Sequence, residues 1–295
     1  MLEFQLDKIK EFKDRYETEE KLLTRIPYPK FPYMGKEVWE KAIAAILSGK
    51  NLLLVGEKST GKNVLCENLA YAFQRPLWNV SFHINMDSSI LIGTDTLENG
   101  NVSFRPGPIY SAAKYGGFAI LDEINMAKNE AMAVLHASLD YRRIIDVPGY
   151  ENINIHPATR FIATMNYGYQ GTRDLNEALL SRFVVIEMPA IEKENLIRLI
   201  KRKFPSMKDS YVNQFSFLYF DLKTKAEAGE ISPTGPDLRG IFDGIDLIKE
   251  GISLDEALDM SLSNKVFDDF EKDLIRDTIR ARFEKDIYAK EVFDN

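Results

Sequence analysis

The sequence predicts an α/β chain, a five-stranded parallel sheet covered by helices on both faces, followed by an all-helical region. Three observations predict it. Short apolar runs alternate with stretches of helical periodicity between residues 51 and 188, the pattern of strands buried on both sides. A glycine-bearing loop, Gly56 to Asn63, falls directly between the first apolar run and a helical pattern. Past Pro189 the strand signals stop, and only helical patterns broken by Gly, Pro or Ser remain.

Residues 2–24 are rich in Lys, Glu and Asp, with Leu2, Leu6, Ile9, Phe12 and Tyr16 at helical spacing, which predicts a partly solvated amphipathic helix. Pro27, Pro29 and Pro32 then break any helix, because each removes a donor and restricts the residue before it. Val38, Trp39, Ile43, Ile46 and Leu47 mark one face of the next helix, with Gly49 where a left-handed cap is expected. The candidate strands are 51–55, 77–84, 117–122, 160–166 and 183–188. Leu65, Leu69 and Phe73 set a helix over 62–73, and Asn99-Gly100 is a two-residue hairpin signal before the third strand. Helices are predicted over 191–204, 211–228, 236–249, 254–262 and 267–283. The domain organisation expected is an N-terminal helical extension and linker (1–33), an αβα core (34–189) and a helical domain (190–295).

With 295 residues and 45% hydrophobic content, the chain is long enough for two buried cores. The single cysteine, Cys66, excludes an internal disulfide, and no apolar stretch has the length of a signal peptide or membrane span, so the cytosol is the expected compartment. A formal charge of -7 disfavours a partner as anionic as nucleic acid. His83, His136 and His156 lie far apart without metal-ligand spacing and read as structural.

Chemistry concentrates first in the loop. Gly56 and Gly61 let backbone N–H groups curl around phosphate oxygens, together with Lys58, Ser59 and Thr60. Lys62 supplies a full charge to the β and γ phosphates, and Asn63 and Val64 open the helix behind it. The GxxxxGK spacing makes this a P-loop, so the predicted fold is that of a P-loop NTPase αβα sandwich, with a nucleoside triphosphate and Mg²⁺ as ligands. Asn63 stands where a Ser or Thr hydroxyl usually ligates Mg²⁺. An amide carbonyl is also a hard oxygen donor, so Asn63 ligates the ion directly or through water, unless the site only binds nucleotide.

The third strand ends in Asp122-Glu123. Parallel strands bring their carboxyl ends to one edge, which sets Asp122 beside the loop as a Mg²⁺ holder and Glu123 as the group that polarises attacking water.

Carrying these motifs in this order, the chain resembles the AAA+ family. The resemblance makes Asn166, at the end of the fourth strand, sensor 1, which positions the water with Glu123. It makes Arg182, in the segment Asn176 to Phe183, an arginine finger reaching a neighbour's nucleotide, and Arg239 a sensor 2 in the lid domain. The stretch through Gly93, Gly100, Phe104-Arg105-Pro106-Gly107-Pro108 and Asp122-Glu123-Ile124-Asn125, with Gly171 to Asn176, is similar to the MoxR group, over roughly residues 35–240. That resemblance implies ATP hydrolysis by a homo-oligomeric ring, hexameric by family habit, which remodels or activates a protein client, often with a von Willebrand factor A domain partner. Alternatives are an NTPase motor of a nucleic-acid system similar to McrB, or an ATP-binding scaffold without turnover. Loops 87–106 and 142–158 correspond to the group's insertions; Phe104 and Tyr150 are either client contacts or hairpin residues packed on the core.

Overall fold

The computed structural model describes residues 3–98, 100–147, 149–166 and 175–294. The chain divides into two compact units, Met1–Ala190 and Ile191–Asn295.

In the first unit, α1 (Glu3–Arg15) and a 3₁₀ segment (Glu20–Arg25) precede α2 (Lys36–Leu47), β1 (Asn51–Val55), α3 (Lys62–Ala72) and β2 (Leu77–Ser81). A short α4 (Ser88–Ile92) leads into β3 (Gly93–Glu98) and β4 (Asn101–Pro106), then α5 (Pro108–Tyr115), β5 (Phe118–Asp122) and α6 (Asn129–Ser138). β6 (Ile144–Ile145) and β7 (Ile153–Asn154) form a second small hairpin before β8 (Arg160–Met165), α7 (Glu177–Leu180) and β9 (Phe183–Glu187).

The main sheet runs β2-β5-β8-β1-β9, every neighbour parallel. Side-chain alternation gives it two apolar faces. Leu52, Leu54, Phe118, Ile120 and Ile162 pack with Ile43 and Ile46 of α2 and Leu65 and Leu69 of α3. Leu53, Ala119, Leu121, Phe161 and Ala163 turn to the other side and pack with Ile109 and Ala112 of α5 and Leu135 of α6. This is the fold class that the sequence predicts: five parallel strands between helical layers, with helices following in the chain.

Local differences have physical causes. The N-terminal helix stops at Arg15 because the buried Arg75 guanidinium takes the Tyr16 carbonyl, while Thr18 donates to Gln74 O at 2.9 Å. Its buried face is Gln5, Ile9 and Phe12, and Leu6 is half exposed; Gln5 is held there by its amide, which donates to Glu40 O at 3.0 Å. Helices α5 and α6 carry no place in the sequence reading. Yet α5 opens on Pro108 and closes on Gly116 in the left-handed conformation (φ +68), the end signals expected of a helix. The hairpin β3–β4 forms where its turn signal predicts, with Glu98 paired to Asn101 and Gly100 at φ +83; Asn99 lies outside the described residues.

The second unit is built from α8 (Lys193–Lys203), α9 (Asp209–Glu227), α10 (Leu238–Lys249), α11 (Leu254–Ser261), α12 (Asp269–Arg280) and α13 (Ala289–Val292). Its core joins Leu196, Phe215, Ile241, Ile245, Leu258 and Ile275. On α10 a Cβ at Gly240 would lie 2.4 Å from Ser261 O, so the close approach of α10 and α11 requires glycine there. No helix among the described residues is long and apolar enough to cross a membrane.

Candidate active site at the carboxyl edge of the sheet

β1 ends at Val55, and the chain turns into a loop that crosses β9 closely. A Cβ on Gly56 would sit 2.8 Å from Met188 O, so no larger residue fits the crossing. Ser59 (φ +66) and Gly61 (φ +84) take the left-handed conformation, which curls the loop back over the start of α3. Gly61 caps that helix without a side-chain hydrogen bond, and the first N–H groups of a helix have no intrahelical acceptor, so a positive end faces the loop.

The Lys62 ammonium lies inside this curl. It is only 8% exposed and donates to Gly56 O (2.9 Å), Glu57 O (2.7 Å) and Thr60 Oγ1 (3.4 Å). Burial draws its pKa down to about 8, against the opposing pull of Asp122 and Glu123. Lys58 is exposed, and Val64 is half-buried beside Asn63 in the first turn of α3.

The acidic pair meets the loop from β5. Asn63 Nδ2 donates to Asp122 Oδ2 at 3.1 Å, and Thr164 Oγ1 donates to Asp122 Oδ1 at 2.5 Å. Glu123 is left-handed (φ +54, ψ 45), a conformation that costs a non-glycine residue about 1–2 kcal/mol. Its backbone N–H is taken by Thr164 Oγ1 at 3.0 Å, and its side-chain Oε1 accepts from Asn166 Nδ2 at 3.1 Å. Asn125, 2% exposed, donates through Nδ2 to Asn166 O at 2.9 Å. Thr164 and Asn125 are the residues that sequence reasoning missed. The signal available was a threonine two residues before Asn166, on the same side of its strand.

The structure thus brings Gly56, Ser59, Thr60, Gly61, Lys62, Asn63, Asp122, Glu123 and Asn166 to one edge. The donor set fits a phosphate chain with a hard divalent cation: a buried ammonium, a helix N-terminus, one carboxylate and one amide able to offer oxygen.

Two further predicted residues have partners of their own. The Arg182 guanidinium is held by its own chain, bonded to Ala178 O and 3.8 Å from Asp140 Oδ2. Arg239 belongs to the second unit, exposed in the first turn of α10, where its N–H caps onto Asp237 Oδ1 at 3.1 Å. Residues 171–174 of the segment similar to the MoxR group lie outside the described residues, whereas Asn176 N-caps α7 through Ala178 N at 2.8 Å. Of the two hairpin aromatics, Phe104 packs against the core and against Tyr150 (4.9 Å between ring centroids), whose hydroxyl donates to Asp95 at 2.7 Å.

Residues 51–183, from the first residue of β1 to the first of β9, match the family described as AAA domain (dynein-related subfamily). The chain is 35% identical over 248 residues to the uncharacterized protein YojN of Bacillus subtilis, covering 82% of this chain and 81% of that one. An uncharacterized protein of Staphylococcus haemolyticus is 33% identical over 254 residues, covering 84% of this chain and 96% of its own. The chain belongs to the dynein-related AAA family. A crystal structure of a candidate ATPase from Cytophaga hutchinsonii, 17% identical, matches with a TM-score of 0.50 over 96% of both chains, which shows a shared fold. At the level of the dynein-related AAA family, this carries ATP-driven activity, nucleotide binding with a divalent cation, and a habit of assembling into rings.

Proposed function

We propose that this chain is a Mg²⁺-dependent ATP hydrolase that works as a homo-oligomeric ring, most simply a cytosolic hexamer, and couples hydrolysis to remodelling or activating a protein client. The observation that carries the reading is the bonded set Asn63–Asp122 and Asn166–Glu123 beside the buried Lys62. A phosphate-binding loop alone would support binding; a carboxylate held by an amide at the end of the neighbouring strand supports turnover.

In this reading Gly56 to Val64 and Lys62 bind the phosphates, while Asn63 and Asp122 hold Mg²⁺. An ion held by Asn63 and Asp122 would supply charge neutralisation at the phosphate being transferred. Glu123 accepts the proton of the attacking water, and Asn166 orients the Glu123 carboxylate. Arg182 serves the nucleotide of the adjoining copy, after leaving Asp140. Arg239 is the γ-phosphate sensor of a helical lid. The MoxR-like stretch supports a chaperone-like role, with a von Willebrand factor A domain protein among the partners to test. Nucleic acid is disfavoured by the charge of -7.

The test is ATP turnover against protein concentration for wild type, Glu123→Gln and Arg182→Ala, with assembly followed by light scattering. Turnover that rises with assembly and collapses in both variants while nucleotide binding persists supports the reading. Tight binding without turnover at any concentration sinks it in favour of a scaffold.

A further inference from the structure

β8 is the central strand of the sheet, between β5 and β1. Its register sets Leu121 opposite Ala163 and Leu54 opposite Thr164, so Asp122 and Thr164 are the next neighbours along the β5–β8 pair. Alternation turns Thr164 to the face shared by Leu52, Leu54, Ile120 and Ile162, the face that α3 covers. There it is fully buried, at 0% exposure.

A valine would fill that space without a polar atom, and a buried hydroxyl needs partners. Thr164 has two, and both belong to the acidic pair. It donates to Asp122 Oδ1 and accepts from the Glu123 backbone N–H. One hydroxyl therefore joins the carboxylate of one acid to the main chain of the next. With Oδ1 taken by Thr164, Asp122 turns Oδ2 to Asn63; with its N–H anchored, Glu123 keeps the left-handed turn that carries Oε1 to Asn166.

We propose that Thr164 is a positioning residue of this site, fixing the rotation of Asp122 for the cation and the backbone of Glu123 for the water. The inference rests on the ATPase reading above and extends it to a buried residue whose hydroxyl is shared between Asp122 and Glu123.

The experiment titrates a fluorescent ATP analogue into wild type, Thr164→Val, Thr164→Ser and Thr164→Ala, each with Mg²⁺ and with EDTA, and records thermal unfolding of each. Thr164→Val is expected to keep the EDTA affinity within about twofold and to lose roughly tenfold of the gain that Mg²⁺ confers, the scale of a lost hydrogen bond to a charged group. Thr164→Ser is expected to restore that gain. If Thr164→Val does not fold, the Ser and Ala variants, which differ by the hydroxyl alone, carry the same comparison. A Mg²⁺ gain equal to wild type in the variants lacking the hydroxyl overturns the positioning role alone. So does an equal loss with Mg²⁺ and with EDTA that follows a lowered Tm, since that is packing. A wild-type protein that binds no nucleotide overturns the ATPase reading and this inference together.

Discussion

The side-chain amide of Asn63 donates to Asp122 Oδ2 at 3.1 Å, joining the first turn of α3 to the end of β5 across the central strand. Because the nitrogen end is used in this bond, the oxygen end remains as a hard donor. Asn63→Ser keeps an oxygen donor and is expected to hold Mg²⁺-dependent nucleotide affinity within about threefold, whereas Asn63→Ala is expected to lose roughly tenfold. Mg²⁺ titration against a fluorescent nucleotide reads both. An alanine variant with wild-type Mg²⁺ dependence places Asn63 outside the cation's shell.

Asn166 and Glu123 divide their work differently. A positioned general base contributes about 10²–10⁴ in rate, so Glu123→Gln is expected to lose at least roughly 100-fold in kcat with little change in KM. Asn166→Ala removes the donor to Oε1 and leaves the carboxylate in place, so its loss in kcat is smaller, about tenfold. Steady-state kinetics on assembled protein separates the two. A change confined to KM would mean that Asn166 binds nucleotide and does not orient Glu123.

The sheet and the phosphate loop were legible because their signals are local. β1 and β5 are near-continuous apolar runs, and GxxxxGK sits where β1 meets α3. Asp122 was legible from the same logic, as the last residue of such a run. Thr164 and Asn125 were not, because their meaning comes from hydrogen-bond partners 41 and 42 residues away. The face of α1 was misjudged for a related reason: Gln5 is buried through one bond to Glu40 O, while the apolar Leu6 faces outward. Tertiary partners decide such positions, and periodicity carries no trace of them.

Arg182 is expected to show its role only between copies. In one chain its contact with Asp140 is loose, 3.8 Å long, while Asp140 pairs more closely with Arg142 at 2.9 Å, so little holds the Arg182 guanidinium to that acid. Arg182→Ala is expected to lower turnover of assembled protein by roughly 10³ while leaving nucleotide affinity unchanged. Mixing the inactive variants Arg182→Ala and Glu123→Gln is the check. Recovery of part of the activity requires an arginine supplied across an interface, and no recovery at any ratio removes that role.

In the helical unit, Gly240 allows α10 to approach α11. Alanine would gain about 1 kcal/mol of helix propensity at an ordinary site. Here its Cβ would fall 2.4 Å from Ser261 O and 2.7 Å from Leu262 Cδ2, and overpacking of this kind costs about 1–3 kcal/mol. Gly240→Ala is therefore expected to lower the Tm, and a raised Tm would show that the two helices separate freely.

His156 gives the fold a pH dependence of its own. Its Nδ1 accepts from Ala158 N at 3.1 Å, which requires that nitrogen to be unprotonated, and its ring meets Tyr16 edge-on at 5.7 Å. Burial lowers its pKa below the ordinary 6.5, and the guanidinium groups of Arg75 and Arg143 lower it further. The folded chain therefore binds fewer protons at His156 than the unfolded chain does at pH values just below 6.5. The stability linked to it is complete above that pH and is lost as pH falls from 6.5 towards the lower folded value. His156→Gln keeps an acceptor for Ala158 N and removes the proton, so its Tm should fall less than that of the wild type as the buffer is taken from neutral to mildly acid. Melting curves of the two proteins across that window decide the matter. Parallel curves would mean that the imidazole protonates without disturbing its contacts, and that acid sensitivity arises at other groups.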